Sequence, residues 1–121
     1  MTDSRDPIDF IPLTPRTFHI LLALSVEPRN GYQIMGAIED HSEGKVTVGP
    51  GTLYEALHRL RERGLIEEPS VGSEVRDGRG QRFYQCTRLG RRVLHAEAER
   101  LAADLELVRG IQLGDSGSGS L

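Results

Sequence analysis

Thr52, Tyr54, His58 and Arg59 put four hydrogen-bonding side chains into one short stretch, and Arg76, Arg79 and Arg82 follow in and beside a glycine-rich segment. Hydroxyl, imidazole and guanidinium groups are the donors that read base edges in a DNA major groove, and guanidinium also grips phosphate oxygens. Gly51 and Pro50, just ahead, allow close backbone approach. Tyr32, Lys45, Gly51 and Glu55 complete the candidate DNA-contacting set. Catalysis has no comparable foothold: the sequence holds no glycine-rich phosphate loop, no nucleophile elbow and no clustered pair of acids, so no enzyme is expected. His19, His41, His58 and His95 lack metal-ligand spacing, and the single Cys86 has no second cysteine, so neither a metal site nor a cofactor is expected.

Charge distribution sharpens the nucleic-acid reading. The chain of 121 residues carries a formal charge of −3, which by itself argues weakly against a duplex partner. From His58 to Arg92, however, nine arginines face five acids, whereas the last helix and tail are acid-rich. An anion therefore belongs in the middle of the chain. No apolar run approaches the roughly eighteen residues of a membrane span, and the N-terminus lacks a basic region followed by an apolar stretch, so a cytoplasmic protein without membrane contact is expected.

The elements that must position these residues follow from periodicity and punctuation. Residues 1–12, with Pro7 and Pro12, have no sustained period and read as an arm that stays mobile unless a partner orders it. Thr14 then caps, and Pro15 opens, a first helix with a nearly continuous apolar run from Phe18 to Val26. Pro28-Arg-Asn-Gly31 is turn chemistry, and Ile34, Met35 and Ile38 have helical spacing in a second helix ending near Gly44. Lys45 to Val48 reads as a short strand. A third helix opens at Pro50, keeps Leu53, Ala56, Leu57 and Leu60 on one face, and stops at Gly64. Periodicity alone is equally satisfied by an ordinary amphipathic helix with solvated polar residues.

Leu65 to Val71 and Gln81 to Thr87 flank the arginine-bearing glycine-rich segment as a β-hairpin. Arginines on such a tip are solvated in most proteins; their place beside the third helix is what gives them weight. Thr87 caps a last helix from Arg88 to about Arg109, in which Leu94, Ala98, Leu101, Leu105 and Val108 are spaced 4, 3, 4, 3. That narrow seam suits a second copy of the chain, with Phe18 and Leu22 sharing it; packing against the first helix of the same chain is the alternative. Tyr84 and Cys86, two apart on a strand, share its core-facing side, which makes Cys86 a small buried hydrophobe rather than a redox sensor. The fold class is α+β, mostly helical: a winged helix-turn-helix with a two-stranded wing and a C-terminal dimerisation helix. Its parts are the arm (1–12), the winged-helix DNA-binding domain (13–87), the dimerisation helix (88–110) and a Gly/Ser-rich flexible tail (111–121).

Gly31-Tyr32-x-Ile34, Gly51-Thr-Leu-Tyr54-x-x-Leu57-x-x-Leu60, Gly64-Leu-Ile66 and Arg82-Phe-Tyr84-x-x-Thr87-x-x-Gly90 occur in order and at sensible spacing. In these pieces the chain resembles a PadR-type transcriptional regulator of the smaller subgroup with one C-terminal helix. The resemblance implies that Thr52 and Tyr54 contact DNA, that Arg82 helps hold a phosphate, and that the protein is a homodimeric repressor on a pseudo-palindromic operator. It also implies, for some members, a small aromatic effector near the dimer interface; this chain has no tryptophan to stack such a ligand. The rival function is a winged-helix module that binds another protein through its last helix or hairpin, with DNA binding weak or lost.

Overall fold

The computed structural model describes residues 4–69 and 82–113. Four α-helices follow the expected order: α1 (Pro15–Val26), α2 (Gly31–His41), α3 (Pro50–Glu62) and α4 (Arg88–Arg109). Three have the N-terminal side-chain caps that their sequences advertise. Thr14 Oγ1 accepts from the Thr17 amide at 3.1 Å, and Thr87 Oγ1 accepts from the Gly90 amide at 3.0 Å. Asn30 and Gln33 form a reciprocal capping box on α2. Only α3 starts without one, on Gly49.

Where α3 ends, Gly64 takes the left-handed conformation (φ 79°). The Leu65 amide donates to the Leu60 carbonyl and the Gly64 amide to the Arg61 carbonyl, both at 3.0 Å, so the helix closes in a Schellman motif. The turn feeds β2 (Ile66–Glu67), which pairs antiparallel with β3 (Phe83–Cys86), Ile66 opposite Cys86. On its other edge β3 pairs with a two-residue strand, β1 (Arg29–Asn30), which gives a three-stranded sheet of order β1-β3-β2. The sequence showed β1 only as turn chemistry, because two residues cannot display a period. Nor do residues 45–48 form a strand; Ser42 Oγ bonds both the amide and the carbonyl of Val46 and folds that loop locally.

The core gathers Ile20, Leu21 and Leu24 of α1, Ile34 and Ile38 of α2, the Leu53, Leu57 and Leu60 face of α3, and Tyr84, Cys86, Leu89, Val93 and Leu94 from the sheet and α4. Burial lifts the Cys86 thiol pKa above its ordinary value, while Ser25 donates to its sulfur and the thiol donates to the Leu21 carbonyl, each at 3.3 Å. This is the inert, packed cysteine expected from the strand register.

The arm departs from expectation. Pro7–Phe10 forms one turn of 3-10 helix against α4, Arg5 sits over the Phe10 ring at 5.6 Å, and Phe10, Ile11 and Leu13 pack on the core. Its ordering partner is this chain's own last helix. Glu97, only 2% exposed, accepts from the Leu13 amide at 3.2 Å and from Arg100 at 2.7 and 2.8 Å.

Candidate nucleic-acid interface

A helix can read a groove only if its back is held rigidly and its front is open. Leu53, Ala56, Leu57 and Leu60 hold α3, each no more than 5% exposed. Gly51, Thr52, Tyr54, Glu55, His58 and Arg59 are exposed, and all of these but Thr52 line one shallow concavity on the helix surface. His58 Nε2 lies 3.3 Å from Glu62, one turn on, so the helix shows a mixed rather than a purely cationic face. Arg59 and Lys45 make no ion pair among the described residues, which leaves both open to an outside partner.

Tyr54 is less free than its 46% exposure suggests. A Cβ added to Gly31 would lie 2.7 Å from the Tyr54 Cζ and closer still to its hydroxyl, so the ring rests on the first turn of α2. That contact ties α3 to α2. Tyr32, 74% exposed, follows Gly31 and borders a separate groove with Met35, Gly36, Glu39, Thr47 and Val48. Lys45 sits in the loop leading to α3. Arg76 and Arg79 lie outside the described residues.

Arg82 does not stand alone. Its Nε lies 3.3 Å from Glu68 Oε2, and Arg61 Nη1 approaches the same oxygen at 3.4 Å. Beneath them is Tyr84, whose phenol pKa is raised by burial and whose charged neighbours include Arg82, Glu68 and Arg61, with Tyr54 also close by. Sequence reasoning overlooked Arg61 and Glu68. Arg61 is seven residues from Tyr54 and so on the same side of α3, which is the one sequence signal that could have found it; Glu68 carries no such signal.

The seam residues separate into two groups. Leu94 is consumed by the chain's own core, and Phe18 and Leu22 are partly buried against it. Ala98, Leu101, Leu105 and Val108 are exposed on α4, the leucines at 42% and 46% and the valine at 63%. From Leu101 onward every described residue of α4 is exposed. Of the expected seam, Leu94 packs within the chain, and the exposed part runs from Ala98 to Val108.

The family model for the Transcriptional regulator PadR-like family matches residues 20–96, from α1 into α4. The chain belongs to this family. A Mycobacterium tuberculosis relative, Transcriptional regulator Rv3488, is 38% identical over 73 residues, which span 60% of this chain and 65% of that protein, just under two thirds of its length. A solved PadR-like transcription factor from Bacteroides fragilis is 26% identical, with a TM-score of 0.62 over 79% of this chain and 88% of that one. A transcriptional regulator from Clostridium thermocellum shares the fold with the same TM-score at 18% identity, over 81% of this chain and 90% of the other. Among the described residues no helix is long and apolar enough to cross a membrane, and no group of three potential ligands could hold a metal ion.

Proposed function

We propose that this PadR-like regulator is a repressor that binds a pseudo-palindromic duplex as a homodimer, each α3 entering a major groove about one helical turn (roughly 34–36 Å) from its mate. The carrying observation is α3 itself: one face locked into the core by three leucines, the other open with Gly51, Thr52, Glu55, His58 and Arg59. Thr52, Tyr54 and His58 supply contacts to base edges, Arg59, Lys45 and Arg82 contacts to phosphate, and Tyr32 flanks them. Duplexes selected from a random pool should bind in a salt-dependent way, and a Tyr54→Ala, Arg82→Ala double variant should bind them at least about tenfold more weakly at a temperature where it remains folded. Undiminished affinity of that folded variant would sink the proposal.

Dimerisation uses the second half of α4. Leu101 and Leu105 are half-exposed on a helix segment that touches little of its own chain, which fits burial against a second copy. A Leu101→Asp, Leu105→Asp variant should remain folded, sediment as a monomer, and lose about 100-fold in affinity for a two-half-site duplex, since it forfeits the linkage between half-sites. A dimeric variant would place the interface elsewhere.

A further inference from the structure

One carboxylate oxygen holding two guanidinium groups is an unbalanced arrangement. Glu68 Oε2 lies 3.4 Å from Arg61 and 3.3 Å from Arg82, so the trio keeps a net charge of +1. As structural glue it is poor: both arginines are 49% exposed, and exposed ion pairs stabilise little. Its geometry is better suited to a ligand. Arg61 approaches Glu68 with a terminal nitrogen and Arg82 with Nε, and each guanidinium has five N–H donors on a half-exposed side chain, so donors can reach an outside anion. Arg61 lies in the last turn of α3, Glu68 just after β2 and Arg82 just before β3, with buried Tyr84 and Tyr54 of the open α3 face close by.

We infer that Arg61 and Arg82, bridged by Glu68, form one composite site for a single phosphodiester of the DNA backbone. A phosphodiester has one negative charge shared by two free oxygens, which matches a net charge of +1 and two converging guanidiniums. Glu68 holds the two arginines side by side and at the same time halves their charge. It thereby lowers affinity for any duplex and leaves a larger share of binding to the base-reading residues of α3. This inference rests on the DNA-binding reading above and adds Arg61 and Glu68 to it.

The test measures binding of a random-sequence duplex two helical turns long across a salt series, for the full chain and its Arg61→Ala, Arg82→Ala, double and Glu68→Gln variants, each checked for an unchanged thermal midpoint. Either single arginine variant should bind about fivefold more weakly, because the remaining guanidinium still holds the phosphate. The double variant should flatten the slope of log affinity against log salt by about 0.9, one phosphate's worth rather than two. Glu68→Gln should bind about fivefold more tightly, since it removes a negative charge next to the phosphate and keeps an acceptor for both arginines. Wild-type affinity in Arg61→Ala, a loss of two phosphates in the double variant, or unchanged or weaker binding by Glu68→Gln would each overturn the inference. If the unmodified chain binds no duplex, the DNA-binding reading fails and this one with it; if it binds while Arg61→Ala and Glu68→Gln behave like it, only the composite site fails.

Discussion

Replacing Gly90 by alanine should destabilise the protein by about 2–4 kcal/mol, although alanine is ordinarily the better helix former by about 1 kcal/mol. Gly90 lies in the first turn of α4, and a Cβ there would meet the Leu65 backbone, 3.0 Å from its carbonyl carbon and closer to its oxygen. A side chain could swing away; this backbone cannot. Leu65 is fixed on one side because its amide donates to the Leu60 carbonyl and on the other because its carbonyl accepts from the Thr87 amide at 3.1 Å, while Thr87 Oγ1 donates to the Gly64 carbonyl at 2.6 Å. The same alanine would also pry α4 from the end of α3 and so tilt the open face. Urea unfolding of Gly90→Ala against the parent measures the effect, and an equal or higher midpoint would show that the turn yields.

Glu97→Ala should cost about 2–3 kcal/mol. The substitution strips the acceptor from the Leu13 amide and two hydrogen bonds from Arg100, leaving the arm without its polar anchor. The figure stays below that for a fully enclosed ion pair because Arg100 is 36% exposed and water can replace part of what it loses. The same site sets a pH dependence. Hydrogen bonds from Arg100, and secondarily from the Leu13 amide, hold the Glu97 carboxyl below its ordinary pKa against the opposing pull of burial. A group whose folded pKa is depressed stabilises fully above its unfolded pKa of about 4.3 and loses that contribution as pH falls through the folded value. The stability gap between the parent and Glu97→Gln should therefore be widest near neutrality and shrink below about pH 4. A gap constant from pH 7 to pH 3, measured by urea midpoints, would mean that the carboxylate charge is irrelevant to the anchor.

The main axis of the fold was readable because it depends on local chemistry. Thr14-Pro15, Pro50, Gly64 and Thr87 punctuate the helices, and the Leu53, Leu57, Leu60 spacing selects the buried face of α3. What escaped depends on partners distant in sequence. Residues 7–13 have no period because they are pinned one at a time, by the Phe10 ring, Ile11 and Leu13, on surfaces supplied by later elements. Glu97 looks like any solvated helix glutamate until Leu13 arrives beside it. Leu94 obeys the same heptad spacing as Leu101, yet α4 crosses from core to solvent between them, and spacing cannot say where a helix leaves its own domain. At the candidate interface the α3 face was legible residue by residue. The pairing of Arg61 and Arg82 through Glu68 was not, because it joins a helix to residues that flank two different strands.

The bond from the Leu13 amide to Glu97 spans 84 positions of the chain. Closing so long a loop carries an entropic cost that local helix contacts do not, so the 3-10 turn and its anchor belong to the late steps of folding. During synthesis residues 7–13 emerge before α4 and must wait for it before they can dock. Until then α1, α2 and α3 can collapse on one another while the place of residues 7–13 stands empty, and a contact that looks like a local cap is in fact a late clasp between two distant parts of the sequence.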